Sequence, residues 1–240
     1  MNGALLVASR EISSYFRSLL GWAIAAAALL VEGIYFIAFG LSEARMSAEV
    51  LKKFFEGASG VTMIVAVLMS IRLLAGEREN GTLVLLNTAP IRDAEIVAGK
   101  YLAALAMIVL VTALSVYMPL LIFVNGKVSL GHIAVGYTGI VLLGSAALAM
   151  GMFTSALSRT QIMAAILGAV LVTVFVTLWM VARKTEEPVS DFLSGLSLHH
   201  LRQSPFMTGV LKLENVVYYV AVTYFFLLAA VKTLEARRWR

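Results

Sequence analysis

The 240-residue sequence contains no cysteine. Disulfide bonds, thiolate nucleophiles and cysteine metal ligands are therefore excluded. Charged residues are also scarce, at 14% of the chain, whereas 60% of the residues are hydrophobic. A typical soluble domain is about one quarter charged. A soluble domain of this length cannot bury so much apolar surface, but a lipid bilayer can accept it. We therefore predict an integral membrane protein.

The sequence also lacks the motifs of soluble enzymes. A Gly-x-x-x-x-Gly-Lys-Ser/Thr phosphate-binding loop is missing, because Gly99-Lys100 and Gly126-Lys127 match only its end. The three histidines do not have the spacing of a helical zinc site. The net charge of +5 is dispersed and forms no basic stripe, so nucleic-acid binding is not expected. We predict no nucleotide-binding domain, cofactor, metal site or catalytic residue in this chain.

Long apolar runs predict an all-α architecture. A membrane-spanning helix needs about 20 mostly apolar residues. Six segments meet this condition: 19–41, 58–75, 96–124, 133–156, 161–182 and 215–235. Pro119 lies inside the third segment, so we expect that helix to kink or break. Six spans place both termini on one side of the membrane, and we interpret residues 1–240 as a single transmembrane domain.

A short amphipathic helix is predicted before the first span. Charged and apolar residues recur at helical spacing from Arg10 to Leu19, as in helices that lie in the membrane interface. The apolar face is expected to consist of Ile12, Tyr15, Phe16 and Leu19. The residues assigned to this interfacial helix are Arg10, Ile12, Tyr15, Phe16 and Arg17. The alternative is that the segment is only a lead-in to the first span.

Two connections on the opposite side are longer than turns. Residues 47–56 alternate charged residues with Val50, Leu51, Phe54 and Phe55, which predicts a separate amphipathic helix. Residues 183–214 contain several apolar residues and predict one or two short helices at the outer surface. This second segment could dock an extracytoplasmic accessory protein.

Basic residues near the span ends predict the orientation. They are slightly more numerous on the side of the termini. The C-terminal cluster of Arg237, Arg238 and Arg240 is unopposed on the other side. We therefore expect both termini in the cytoplasm.

The connection between the second and third predicted spans is the most informative stretch of the sequence. It is charged at both ends and apolar in the middle. Thr82 is suited to begin a helix of about two turns and Pro90 to end it. The apolar residues that could fill a groove on a cytoplasmic partner are Leu83, Leu85 and Leu86. The flanking carboxylates could pair with that partner's cations. The alternative is an ordinary interfacial turn.

This stretch resembles the signature of the ABC-2 class of ABC-transporter permeases. That pattern runs Glu-Arg/Lys-Glu-x-Gly-Thr, then Leu-Leu, a Pro, and Glu-Ile-x-x-Gly-Lys at the start of the next helix. The matching residues are Glu77, Arg78, Glu79, Gly81, Thr82, Leu85, Leu86, Pro90, Glu95, Ile96, Gly99 and Lys100. Val84 departs from the pattern, since many members have Glu there. The resemblance extends from the interfacial helix through all six predicted spans.

The resemblance implies a coupling helix that contacts a separate ABC ATPase. It also implies two copies of that ATPase, which bind ATP and Mg, and a second permease subunit, identical or homologous. The implied function is export, or mechanical signalling, across the bacterial inner membrane. The expected coupling residues are Glu77, Arg78, Glu79, Gly81, Thr82, Leu83, Leu85, Leu86 and Pro90.

Residues near the C-terminus narrow the resemblance to one subfamily of these permeases. They are His199, Gly209-Val210-Leu211, Val217-Tyr218-Tyr219 and residues 234–240. They look like the gliding-motility-associated permeases, with the nitrous-oxide-reductase maturation permeases as relatives. This narrower resemblance does not fix a substrate.

Glu32 is a charged residue well inside a predicted span. A carboxylate at that depth is costly and is a functional candidate by default, so we assign it to a substrate path. The alternative is a snorkelling or protonated side chain near the span boundary. Two other functions stay open, namely an ATP-independent secondary transporter or channel, and a non-transporting membrane anchor for an accessory complex. The transporter would predict paired charged residues or broken helices near mid-membrane. Only Glu32 and Pro119 favour it, and inverted repeats are not evident.

Overall fold

The computed structural model describes residues 3–40, 46–82 and 91–238. Every regular element in these residues is a helix, as predicted. Six of the described helices are long and apolar enough to cross a membrane. They are called spans 1 to 6 and comprise Leu19–Gly40, Ser47–Glu79, Asp93–Val124, Leu130–Leu157, Gln161–Ala182 and Leu213–Arg237. The six-span prediction is therefore confirmed.

Three further helices complete the described structure. The N-terminal helix comprises Gly3–Arg17. The first distal helix comprises Val189–Leu196 and the second comprises His200–Met207. Because the spans alternate in direction, the N-terminal helix and the last residues of span 6 share one end of the bundle, called the terminal end. The two distal helices lie at the opposite end, called the distal end.

Local sequence signals set several span boundaries. Ser18, Ser129 and Thr160 begin spans 1, 4 and 5, and each side chain accepts a hydrogen bond from a backbone N–H in the first turn. Span 3 breaks after Leu114 and resumes at Tyr117. Pro119 accounts for the break, since it has no N–H and its ring crowds the carbonyl four residues earlier. The predicted break is confirmed.

Span 2 differs from its prediction. The sequence predicts a separate amphipathic helix at 47–56 and a span at 58–75, but one helix runs from Ser47 to Ile71 and continues through a π-helical turn, Arg72–Gly76, to Glu79. The prediction of a separate helix was wrong. Its apolar face is buried against other spans and the second distal helix, where it packs with Phe36, Met118, Ile122, Ile133 and Met207. A surface helix would have exposed that face.

Span 4 lies at the centre of the bundle and packs against spans 2, 3, 5 and 6. Small residues make this position possible, because they let neighbouring backbones approach closely. A stripe of Ala147, Gly151 and Ser155 is fully buried. A Cβ atom at Gly151 would overlap the Ser70 side chain of span 2.

The N-terminal helix packs against the start of span 3. A Cβ atom at Gly99 would lie 2.6 Å from the Ala4 carbonyl oxygen, so only glycine permits this contact. The helix begins at Gly3, earlier than predicted, and Arg17 is exposed at its end. Its predicted apolar face is also divided. Tyr15 packs toward the protein core, whereas Phe16 is exposed on the other side.

The two distal helices confirm the prediction of short helices in 183–214, but they do not lie flat on the surface. The backbone N–H of Leu198 donates to the carbonyl of Phe175, seven residues before the end of span 5. At 1.5 Å per residue, the chain between the distal helices therefore descends about 10 Å along span 5. The Tyr218 and Tyr219 hydroxyls of span 6 hold it there by donating to the carbonyls of Leu196 and Leu198.

Candidate coupling site at the terminal end

Span 2 reaches the terminal end through its π-helical turn. A π turn leaves backbone groups without their usual helical partners. The Ser155 hydroxyl of span 4 accepts hydrogen bonds from the N–H groups of Leu74 and Ala75, at 3.2 and 3.0 Å. It also lies 3.2 Å from the carbonyl of Ile71. One side chain of span 4 therefore stabilises the irregular turn that precedes the predicted coupling residues.

Glu77 joins three elements at the end of span 2. The Lys100 ammonium of span 3 lies 2.9 Å from Glu77 and 2.7 Å from Glu11 of the N-terminal helix. Arg10 is a further cation 3.5 Å from Glu77. The Thr82 hydroxyl donates to the same carboxylate. Lys100 is 1% exposed and its two carboxylate partners are largely buried, whereas Arg10 is exposed at the edge of the network. These charges hold the N-terminal helix against spans 2 and 3.

Arg78 binds the end of span 4. Its guanidinium donates to the carbonyls of Ala156 and Ser158. The last carbonyls of a helix have no partner within the helix and carry a partial negative charge, so an arginine there is favourable. Arg237 of span 6 donates to the carbonyl of Leu157 in the same turn.

Glu79 binds the beginning of span 5. Its carboxylate accepts a hydrogen bond from the backbone N–H of Gln161, at 3.0 Å. An acidic side chain is favourable at a helix N-terminus, where the N–H groups carry a partial positive charge. Glu77, Arg78 and Glu79 are consecutive, yet they contact the N-terminal helix and spans 3, 4 and 5. Movement of this segment would therefore act on most of the bundle.

The start of span 3 contains the second half of the motif, residues 95–100. Glu95 accepts hydrogen bonds from its own helix start, at the N–H of Arg92, and from the N–H of Gly3. Ile96 is fully buried. Together with Gly99 and Lys100, these residues bind the N-terminal helix to span 3.

A cavity of about 550 Å³ opens between the N-terminal helix and the ends of spans 2 and 3. Its lining includes the charged residues Arg10, Glu11, Arg72, Glu77 and Lys100. Tyr15 also faces this cavity. Burial, and secondarily the nearby Glu11 carboxylate, raises the pKa of the Tyr15 phenol well above its ordinary value. The phenol is therefore neutral, and the cavity's charges come from the ionic side chains alone.

The structure describes part of the predicted coupling set. Glu77, Arg78 and Glu79 pair with groups of this chain, whereas the sequence interpretation had the carboxylates facing a partner. Gly81 has a φ of +73°, a left-handed conformation that favours glycine, in the turn that follows span 2. The remaining predicted residues, Leu83, Leu85, Leu86 and Pro90, lie outside the described residues.

Sequence reasoning did not assign Glu11, Lys100 or Ser155 to the site. A signal existed for Lys100, because it lies inside the predicted third span, where an ammonium group requires a counter-ion. The signal for Glu11 was weaker, since an acidic residue on an interfacial helix is ordinarily solvated. Two residues assigned to the interfacial helix are described here: Ile12 is half-buried, and Arg10 forms an ion pair with Glu77.

Glu32 is distant from the coupling site. It lies in span 1, nearer the distal end, and is 4% exposed. One carboxyl oxygen has no hydrogen-bond partner in the structure, and the carboxyl group lies near the Ser115 side chain at the break in span 3. The Tyr137 hydroxyl of span 4 lies 3.1 Å from Ser115 Oγ. The break in span 3 thus brings three polar groups together within the bundle.

Six apolar spans, with a charge network that binds spans 2 and 3 to the N-terminal helix at the terminal end, define a polytopic α-helical membrane protein. In the described ranges there is no group of three or more His, Cys, Asp or Glu residues that could hold a metal ion. Residues 5–237 match the family model described as "ABC-2 family transporter protein". The chain therefore belongs to the ABC-2 transporter family. No curated protein matches it in sequence.

Proposed function

We propose that this chain is the transmembrane permease subunit of an ABC-2 transporter, and that a separate ABC ATPase drives it. Membership of the ABC-2 family supports this proposal. Two ATPase copies, which bind ATP and Mg, would assemble with two permease subunits, identical or homologous. Residues 1–240 would form one permease domain without catalytic residues. The transporter would export a substrate, or transmit a mechanical signal, across the bacterial inner membrane.

The observation that carries the proposal is the set of contacts made by Glu77, Arg78 and Glu79. They connect the end of span 2 to the N-terminal helix and to spans 3, 4 and 5. An ATPase that pushes on the following segment, residues 83–90, would therefore move several spans together. Packed helices rearrange between discrete states instead of deforming continuously, so a small displacement at this point could switch the bundle.

The first experiment separates ATPase binding from coupling. The tagged permease is co-expressed with an ABC ATPase from the same genome and purified in detergent, and the ATP hydrolysis rate of the complex is measured. Leu86→Glu should abolish co-purification, because it places a charge on the predicted docking segment. Glu79→Gln should retain the ATPase but lose permease-dependent hydrolysis, since it weakens only an internal contact. Glu235→Gln, in an exposed ion pair at the same end, is the matched control.

A permease that purifies without any ATPase would contradict the proposal. The ATP-independent transporter or the membrane anchor would then be the better explanation. Retained hydrolysis in Glu79→Gln would show that the span 5 contact does not carry the signal. The Glu235 variant should behave like wild type in both assays, since its contact is exposed and lies within one helix.

We also propose that both termini are cytoplasmic. The absence of cysteine makes a direct test simple, because single cysteines can be introduced without background. Ser9→Cys lies at the terminal end and Thr208→Cys at the distal end, and both positions are exposed. A membrane-impermeant maleimide added to intact spheroplasts should label only Thr208→Cys. The reverse pattern would show that the orientation is inverted.

Three finer assignments belong to the same proposal. Glu32 would line the substrate path, since its buried carboxyl group has an oxygen without a partner. The segment 183–214 would contact an extracytoplasmic accessory protein. The resemblance to gliding-motility-associated permeases rests on the C-terminal residues named above. Co-purification with distal-end cross-linking would test the accessory partner, and the Glu32 test is given in the Discussion.

A further inference from the structure

Arg72 is an exposed cation near the terminal end of span 2, at the start of the π-helical turn. None of the ion pairs formed within the described ranges includes it. Arg72 lines the cavity of about 550 Å³ beside the N-terminal helix. The other charged residues described in that lining pair with one another, since Arg10 and Lys100 bind Glu11 and Glu77. Of the cations in the described lining, Arg72 is the one that stays available to a ligand.

The cavity lies at the level where span 1 enters the membrane. Ser18, the residue immediately before span 1, is part of its lining. The first residue of that span, Leu19, is exposed, and so is Trp22 one turn further on. Tryptophan side chains are enriched at the headgroup level of a bilayer. Arg72 therefore lies near the depth of the lipid phosphates.

An apolar groove of about 400 Å³ follows span 2 away from the terminal end. Ile64 and Leu68 line this groove, and they share one helix face with Arg72 because the three residues are spaced four apart. The two apolar residues are 62% and 44% exposed. The opposite wall of the groove is span 5, which contributes Ala165, Ala169, Val172, Thr173 and Val176.

Span 5 also begins close to Arg72. Gly76 of span 2 lines the same cavity as Arg72. A Cβ atom at Gly76 would lie 3.5 Å from the Cβ atom of Arg72 and 3.8 Å from the side-chain amide of Gln161, the first residue of span 5. Both walls of the apolar groove therefore approach the polar cavity at Arg72.

We propose that Arg72 binds the phosphate group of an anionic membrane lipid, and that an acyl chain of this lipid lies in the groove between spans 2 and 5. Arginine pairs with phosphate through geometrically matched, charge-assisted hydrogen bonds. Ser14 and Asn80 line the same cavity and supply neutral donors. The cavity thus receives the headgroup, and the groove receives the apolar part of the same molecule.

The length of the groove favours a lipid chain over a helix of a second copy. Its lining on span 2 extends from Ile71 to Gly60, which is about 16 Å along the helix. The hydrocarbon core of a bilayer is about 30 Å thick, so the groove crosses one leaflet. A lipid acyl chain occupies one leaflet, whereas a spanning helix of a second copy would cross both. A soluble oxyanion would make no use of the groove.

The test compares three probes on the purified protein in dodecyl maltoside micelles. They are dioleoyl phosphatidic acid, dioleoylglycerol, which has the same chains without phosphate, and inorganic phosphate. Apparent affinity is obtained from the dependence of the thermal unfolding midpoint on probe concentration. The phosphatidic acid should stabilise the wild type far more than either other probe.

Two variants separate the headgroup site from the groove. Arg72→Gln removes the charge and should weaken the affinity for phosphatidic acid about tenfold or more, since a hydrogen bond to a charged group is lost. Gly60→Leu keeps Arg72 but fills the inner end of the groove, and it should weaken the affinity about fivefold or more because the acyl chain loses apolar contacts. A Cβ atom at Gly60 meets no atom within 4 Å, so this variant should fold normally. Arg183→Gln, which removes an exposed arginine at the distal end, is the matched control and should remain within about twofold of wild type.

Four results would overturn the proposal. Wild-type affinity in Arg72→Gln would show that this residue does not contact the phosphate. Equal stabilisation by dioleoylglycerol would show that only the acyl chains bind, and equal stabilisation by inorganic phosphate would show that the cavity binds a soluble oxyanion. Unchanged affinity in Gly60→Leu, with a lower oligomeric mass by light scattering, would assign the groove to a second copy of the chain. None of these results bears on the ATPase partner, so the proposed function is tested separately.

Discussion

Replacing Lys100 by methionine tests the central claim about the coupling site. Methionine approximately preserves the side-chain volume but removes the positive charge. Glu11 and Glu77 then face each other in a largely buried position, with Arg10 as the nearest remaining cation. We expect the N-terminal helix to loosen from spans 2 and 3.

The expected loss of folding free energy follows from the burial of these ion pairs. The Lys100 side chain is 1% exposed, and its partners Glu11 and Glu77 are 15% and 13% exposed. Removal of one partner from a buried ion pair typically costs about 3–5 kcal/mol, because the remaining charge is left without compensation. An exposed pair contributes only about 0–1 kcal/mol.

The chain supplies its own matched control. Lys232 lies 2.8 Å from Glu235, close to the 2.9 Å between Lys100 and Glu77, but the side chains of this pair are 73% and 42% exposed. Unfolding by SDS in mixed dodecyl maltoside micelles gives the free energy for each variant. Lys100→Met should lose about 3–5 kcal/mol and Lys232→Met less than about 1 kcal/mol. The double variant Lys100→Met/Glu77→Gln should lose less than the sum of its single substitutions.

Equal losses in the Lys100 and Lys232 variants would refute this reasoning. They would mean that the network is solvated and does not hold the N-terminal helix. Additive losses in the double variant would show that Lys100 and Glu77 act independently, in conflict with their 2.9 Å contact.

Three further predictions concern other parts of the molecule. Gly99→Ala should destabilise the protein by about 1–3 kcal/mol in the same SDS assay, because the added methyl group would overlap the N-terminal helix. The control Gly60→Ala, whose methyl group meets no neighbour, should stabilise the protein by up to about 1 kcal/mol. Equal effects of the two substitutions would refute the close contact at Gly99. Glu32→Gln should lower substrate-stimulated ATP hydrolysis about tenfold without lowering the melting temperature, and full activity would remove Glu32 from the substrate path. Burial lowers the pKa of His199, whose Nε2 lies 2.7 Å from Ser59 Oγ. As the pH falls below about 6.5, the histidine of the unfolded chain therefore takes up a proton before that of the folded protein, and the folded protein loses stability in this pH range. Melting temperatures from pH 7.5 to 5 should show a smaller decline in His199→Gln, and an identical decline would assign the pH dependence to other groups.

The sequence alone was sufficient to predict the membrane architecture. Hydropathy is a local property, and the number of spans follows from counting apolar runs long enough to cross a bilayer. The break in span 3 is also local, since Pro119 disrupts its own helix whatever surrounds it. The motif at residues 77–82 and 95–100 pointed to the ABC-2 family for the same reason, because residue types and spacing are visible in one chain.

Burial was harder to predict than helix formation. Residues 47–56 have the pattern of an amphipathic helix, and that pattern is the same whether the apolar face meets lipid or protein. Packing against spans 1, 3 and 4 decided that it belongs to span 2. Likewise, the descent of the chain between the distal helices depends on hydrogen bonds from Tyr218 and Tyr219, which occur far along the next span.

The sequence determined which charged residues lie near the terminal end, but only the tertiary structure decided which groups they bind. Glu79 meets Gln161 across 82 positions, and Lys100 meets Glu11 across 89. No local pattern encodes such pairs, because they depend on how the spans pack. Glu79 could equally have faced a partner protein, as the sequence interpretation had it. The Lys100–Glu11 contact is buried, and it arises because a charge removed from water in a helix bundle is stable only beside an opposite charge. The Glu79 carboxylate is exposed and contacts the N-terminus of span 5, where the helix N–H groups carry a partial positive charge.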